Sequence, residues 1–104
     1  MALRIGLNNF EEKVLKSSLP VLVDFYSDSC IPCKMISPIL GDLEDGHEGT
    51  LEVYKVNVNF DTELAKQYDV LSVPTLITFQ NGEVKGRLTG AVTKQALEEL
   101  LGGK

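Results

Sequence analysis

Residues 21–40 read VLVDFYSDSCIPCKMISPIL, and they join a strand signal to a helix signal through two cysteines. VLVDFY is a nearly continuous apolar run, which is typical of a central strand covered on both faces. Apolar residues then recur at helical spacing from Met35 to Leu43, so a helix is predicted from the cysteines to about Asp45. A strand that leads into a helix predicts an α/β fold with the cysteines at the junction.

The rest of the chain continues the alternation. LEVYKVNV at 51–58 predicts a buried strand parallel to the first, since a helix connects the two. A short helix is predicted over 61–68 and a strand over 75–80. Asn81-Gly82 is a strong hairpin signal, so EVKGRL at 83–88 should return antiparallel. The order predicts a mixed sheet between helices.

Capping residues predict the two terminal helices. Asn8 or Asn9 is expected to cap a first helix that ends near Ser17, and Thr93 to cap a last one. The 104 residues fit a single domain, 1–104, that needs no disulfide or metal to form its core.

Composition excludes several classes of partner and cofactor. The net charge of −5 leaves no basic face for nucleic acid or anionic membranes. No glycine-rich phosphate loop and no apolar span long enough for a membrane is present, and Met1 is not followed by a secretory signal. We therefore expect a cytoplasmic protein without nucleic-acid or membrane partners and without a bound cofactor.

Cys30 and Cys33 are the two cysteines of the chain, and three interpretations are open. Two intervening residues at a helix start allow a reversible disulfide, and helix N–H groups would help Cys30 to ionise, with Cys33 more shielded. A closed zinc site takes four ligands, and the cysteines and His47 supply one too few. Two buried, inert thiols are the third possibility. Spacing and context favour the redox pair, with Pro32 suited to a first helical turn.

Asp24 interrupts the apolar strand that precedes the cysteines. A buried, unpaired carboxylate raises its pKa, so Asp24 is a candidate acid/base for Cys33, although it could also merely satisfy nearby donors. Lys55, inside the next strand, is either its counter-charge or a surface lysine. Pro74 begins a strand, and general frequencies favour a trans bond before it, since only about 5–6% of such bonds are cis.

VDFYSDSCIPCK, Lys55 within YKVNV, VPT at 73–75, the Asn-Gly hairpin and Gly90 occur in an order that resembles the thioredoxin family over essentially the whole chain. The resemblance implies the thioredoxin fold, a five-stranded mixed sheet flanked by four helices, with ALRI at residues 2–5 as the first strand. It also implies a cis bond before Pro74, against the general frequency.

The resemblance further implies the site. Cys30 would attack a target disulfide, Cys33 would resolve the mixed disulfide, Asp24 would be the acid/base assisting Cys33, and Lys55 would tune Asp24. The surface that meets the substrate would comprise Ile31, Pro32, Val73, Pro74 and Gly90. A monomeric protein-disulfide reductase is implied, with thioredoxin reductase as electron donor and disulfide-containing proteins as targets.

The loop around the cysteines departs from the family pattern Trp-Cys-Gly-Pro-Cys. Ser29 replaces the tryptophan, Ile31 the glycine, and Tyr26 a second tryptophan. Ile31 adds an apolar, β-branched side chain beside the cysteines. Two alternative functions are an oxidase or isomerase, and a binding module without catalysis. Pro32 argues against the first, and Asp24 and Lys55 argue against the second.

Overall fold

The computed structural model describes residues 2–90 and 92–101. Within them the strands are β1 (Leu3–Arg4), β2 (Val21–Tyr26), β3 (Glu52–Asn57), β4 (Thr75–Gln80) and β5 (Glu83–Thr89). The α-helices are α1 (Leu7–Phe10), α2 (Ile31–Gly46), α3 (Thr62–Gln67) and α4 (Lys94–Leu100). A π-helical segment, Glu11–Leu15, continues α1.

The strands form one sheet in the order β1-β3-β2-β4-β5. β1 and β2 run parallel to β3, whereas β4 is antiparallel to both β2 and β5. This confirms the predicted five-stranded mixed sheet and the parallel strands joined by α2. β2 is central, so its C-terminal end lies between the C-terminal end of β3 and the start of β4.

The apolar run in β2 is buried on both faces. Side chains alternate along a strand, so Val23 and Phe25 lie on one face and Leu22 on the other. Val23 and Phe25 pack in a core with Phe10 of α1. Leu22 packs in a second core with residues of α2 and α4. By the same alternation Asp24 shares the α2 side of the sheet with Leu22.

The N-terminal helix begins differently from the prediction that Asn8 or Asn9 caps it. Gly6 is the N-cap, and Asn9 lies in the first turn, where its Oδ1 accepts a hydrogen bond from the Gly6 N–H at 2.9 Å. The reason is that an amide at the third helical position can reach back to the cap N–H. The helical segment ends at Leu15, two residues before the predicted end near Ser17.

The other local signals are confirmed. Asn81 and Gly82 have φ of 55° and 81°, as a two-residue hairpin turn requires, and β5 returns antiparallel. The Thr93 hydroxyl accepts a hydrogen bond from the Ala96 N–H at 3.1 Å and so caps α4. α2 ends at Gly46, one residue later than predicted.

Candidate active site

Cys30 and Cys33 form a disulfide at the N-terminus of α2, with their Cα atoms 5.2 Å apart. Cys30 is the N-cap residue, and its Sγ accepts a hydrogen bond from the Cys33 N–H at 3.1 Å. Backbone N–H groups at a helix start have no partner within the helix and stabilise negative charge. The sulfur of Cys30 therefore lies where a thiolate would be stabilised when the bond is reduced.

The two sulfurs differ in their access to solvent. Cys30 is half-buried, whereas only 3% of Cys33 is exposed. An external disulfide can therefore reach Cys30 more easily than Cys33. Attack by one cysteine and resolution by the other require this asymmetry.

Ile31 and Pro32 occupy the first turn of α2, between the cysteines. Ile31 is 69% exposed, and Pro32 is also exposed. Proline fits this turn because its missing N–H would have no helical partner. An apolar residue this exposed beside a reactive cysteine offers contact area to a docked protein.

Asp24 lies below the cysteines, near the end of β2, and is 2% exposed. Its Oδ1 has no hydrogen-bond partner among the described residues. Burial raises the pKa of Asp24 from its ordinary value of 3.8 to about 7, and the positive charge of Lys55 partly opposes that rise. Asp24 can therefore exchange a proton near neutral pH.

Lys55 is the in-register neighbour of Asp24 on β3. It is half-buried, and its Nζ lies 5.3 Å from the centroid of the Tyr26 ring. A cation over an aromatic face is held there by the ring's negative face. Lys55 thus places a positive charge beside Asp24 instead of extending freely into solvent, as a surface lysine would.

A cavity of about 160 Å³ connects these groups, and we call it the dithiol cavity. It is lined by Asp24, Tyr26, Ser27, Asp28, Cys33, Lys34, Ser37 and Lys55. The buried acid and the shielded cysteine thus face one small polar space. A space of this size with polar lining has room for water, which could carry a proton between Asp24 and Cys33.

Val73, Pro74 and Gly90 lie at the same edge of the sheet. Thr75 is paired with Phe25, so the residues before β4 lie opposite the end of β2. The Val73–Pro74 bond is cis, which the resemblance implied, so the expectation of a trans bond from general frequencies is wrong. The N–H of Gly90 donates to the Pro74 carbonyl at 3.0 Å, and Gly90 has a φ of 85°.

His47 does not join the cysteines. It is the C-cap of α2, whose 16 residues put it about 24 Å from Cys30 at 1.5 Å per residue. Residues 2–90 and 92–101 contain no group of three or more histidine, cysteine or acidic side chains placed to hold a metal ion. None of the helices in this part of the chain is long and apolar enough to cross a membrane.

Ser37 was not predicted from the sequence as a residue of the site. It lies one turn after Cys33, and its hydroxyl donates to the Cys33 carbonyl at 3.4 Å. It lines the dithiol cavity together with Asp24. The spacing of four residues from Cys33 would have placed it on the same helix face.

Comparison with known proteins agrees with this geometry. The thioredoxin family model matches residues 2–102. A thioredoxin of Rickettsia bellii is 40% identical over 99 residues, which cover 95% of this chain and 94% of that protein. Thioredoxin 1 of Nostoc is 37% identical over 100 residues, covering 96% of this chain and 94% of the relative.

A chloroplastic M-type thioredoxin of Spinacia oleracea is 40% identical over 92 residues, which span 88% of this chain and 51% of that longer protein. The family match at residues 2–102 spans both cysteines and the strands that carry Asp24 and Lys55. A reversible cysteine pair on this fold exchanges thiols for disulfides. The chain therefore belongs to the thioredoxin family and is a thiol-disulfide oxidoreductase.

Proposed function

We propose that this protein reduces disulfide bonds in target proteins, with Cys30 as the nucleophile and Cys33 as the resolving thiol. The Cys30 thiolate attacks a target disulfide and forms a mixed disulfide, while one target sulfur leaves. Cys33 then attacks Cys30, which releases the second target sulfur and leaves the Cys30–Cys33 disulfide. The observation that carries the proposal is this disulfide at the start of α2, with one sulfur accessible and the other shielded.

Asp24 is the acid/base for the resolving step. Cys33 must lose a proton before it attacks, and Asp24 faces the same cavity as Cys33. A pKa of about 7 leaves a large share of Asp24 able to accept that proton at neutral pH. Lys55 tunes the site, because its charge favours the ionised form of Asp24.

The substrate-binding surface comprises Ile31, Pro32, Val73, Pro74 and Gly90. Val73 precedes β4, and none of the described residues forms a hydrogen bond with its backbone N–H or carbonyl. An extended target segment can therefore pair with Val73, in the way peptides add to exposed strand edges. The exposed Ile31 gives this surface an apolar contact next to Cys30.

Electrons reach the oxidised protein from a thioredoxin reductase, and disulfide-containing proteins receive them. A disulfide reductase works where thiols are kept reduced, so we place this activity and its electron transport in the cytoplasm. The protein acts as a monomer with one thioredoxin domain over residues 1–104, in keeping with a family match over 2–102.

Serine variants of the two cysteines test these roles. In Cys33→Ser the mixed disulfide cannot be resolved, so the variant should accumulate as a covalent adduct with disulfide-containing proteins. Cys30→Ser lacks the nucleophile and should form none. Non-reducing gel electrophoresis and mass spectrometry detect the adducts. Equal trapping by both variants, or by neither, would refute the assigned roles.

A further inference from the structure

A second cavity reaches Asp24 from farther along α2, and we call it the rear cavity. Its volume is about 100 Å³. The residues that line it are Ala2, Asp24, Ser37, Leu40, Gly41 and Lys55. Asp24, Ser37 and Lys55 also line the dithiol cavity, so both cavities meet at the buried carboxyl.

The two cavities differ in what surrounds their openings. Cys33, Lys34 and Asp28 line the dithiol cavity, so it opens beside the cysteines. The rear cavity instead lies against Leu40 and Gly41, about two turns after Cys33 along the helix, and against Ala2 ahead of β1. A protein bonded to Cys30 would lie over the first opening, whereas Leu40 and Gly41 are about two turns farther from Cys30 along α2.

The resolving step needs such an outlet. As the Cys33 thiol loses its proton to the Asp24 carboxylate, the Cys33–Cys30 bond forms and the bond between Cys30 and the target sulfur breaks. The target sulfur leaves as a thiolate with the bonding electron pair, and Asp24 holds the proton. Because the pKa of Asp24 is about 7, a large share of the protein enters the mixed disulfide with Asp24 already protonated. Asp24 is only 2% exposed, so that earlier proton must leave through cavity water, with the target still bound, before Asp24 can accept the proton of Cys33.

We propose that the rear cavity is the path by which water takes the Asp24 proton to solvent while a target protein covers the dithiol cavity. This inference rests on the proposed function. Ser37 and Lys55 are its polar lining besides Asp24, since Ala2, Leu40 and Gly41 offer no polar side chain. Ser37 is exposed as a residue, and its hydroxyl oxygen can accept hydrogen bonds from water while the hydroxyl donates to the Cys33 carbonyl.

The charged and titratable groups around Asp24 come from several elements. Lys55 faces it from β3, and Cys33 and Lys34 line its cavity from α2. Asp28 and Tyr26 line the same cavity from the end of β2 and the loop after it. On β4 the in-register neighbour is Leu76, which carries no proton to exchange. Lys55 is the one of these groups, besides Asp24 itself, that reaches the rear cavity.

Gly41 allows the rear cavity to be blocked without touching the cysteines. A Cβ at Gly41 would meet nothing within 4 Å, so a side chain can begin there without a clash at its first atom. Helical side chains lean toward the N-terminus of their helix, so Leu in Gly41→Leu would lie toward Ser37 and across the opening. Gly46→Leu is the matched control, because Gly46 is also in α2, also has free space and lines neither cavity.

The assay compares a protein disulfide with a small one. Pre-reduced protein is mixed with insulin or with 5,5′-dithiobis(2-nitrobenzoate), quenched in acid, and the mixed disulfide and the Cys30–Cys33 disulfide are counted by mass spectrometry. With insulin, Gly41→Leu should slow resolution several-fold, at most about 100-fold, which is the lower range of general acid–base effects. With the small disulfide, which leaves the dithiol cavity open, it should react like wild type.

Thermal unfolding verifies that the variants fold, and Gly41→Met, with a flexible side chain, replaces Gly41→Leu if that variant does not. Unchanged resolution with insulin would overturn the proposal. Equal slowing with both disulfides, or equal slowing in Gly46→Leu, would also overturn it. Failure of wild type to reduce either disulfide would instead refute the proposed function, so the two failures are distinguishable.

Discussion

Asp24→Asn should make the protein more stable at neutral and alkaline pH. The substitution keeps the size of the side chain and removes the charge that burial disfavours. In the folded protein the pKa of Asp24 is about 7, against an ordinary value of 3.8. At about 1.36 kcal/mol per pH unit, that gap corresponds to about 4 kcal/mol of unfolding free energy.

The sign follows from proton binding. Between pH 3.8 and about 7 the folded state holds the Asp24 proton and the unfolded state does not. The contribution of Asp24 to stability is therefore fully present below pH 3.8 and is lost as pH rises through about 7. Asp24→Asn does not lose this stability. The difference in unfolding free energy between the variant and wild type should therefore grow across that interval and level off above it.

Urea unfolding of the oxidised proteins at intervals from pH 4 to pH 9 measures this difference. Asp42→Asn, on the exposed side of α2, is the control and should stay within about 0.5 kcal/mol of wild type at every pH. If the difference in unfolding free energy between Asp24→Asn and wild type is the same at pH 4 and at pH 9, the reasoning is refuted. It would mean that Asp24 titrates alike in the folded and unfolded chains.

Three further outcomes are expected. Gly90→Ala should lower the unfolding free energy by about 1–2 kcal/mol because φ is 85°, whereas Gly41→Ala, in open helical space, should raise it by about 0.5–1 kcal/mol; equal signs in urea unfolding would contradict this. Thr93→Ala should cost about 1 kcal/mol in the same assay, and no loss would show that the cap is dispensable. Equilibration with dithiothreitol should give a reduction potential near the established thioredoxin value of about −270 mV, and one nearer about −180 to −120 mV would indicate an oxidant or isomerase.

Much of the site was predictable because its signals are local. The spacing of Cys30 and Cys33 and the helix pattern after them lie within one continuous stretch. The charge of Asp24 within an apolar strand predicted a buried acid, and it is 2% exposed. The start of the first helix was predicted less well. Its N-cap is Gly6, whose N–H donates to the side chain of Asn9, so the asparagine stands three residues after the cap position.

The sequence by itself determined strands β2 to β5, helices α2 to α4, the hairpin turn and the position of the cysteine pair, because these depend on side-chain periodicity and on residues close together in the chain. Tertiary structure decided the rest. Lys55 stands beside Asp24 only through the register of β2 and β3, and general frequencies disfavoured the cis bond before Pro74. The two cavities that meet at Asp24 arise from packing α2 against the sheet, and packing joins residues that no local pattern connects.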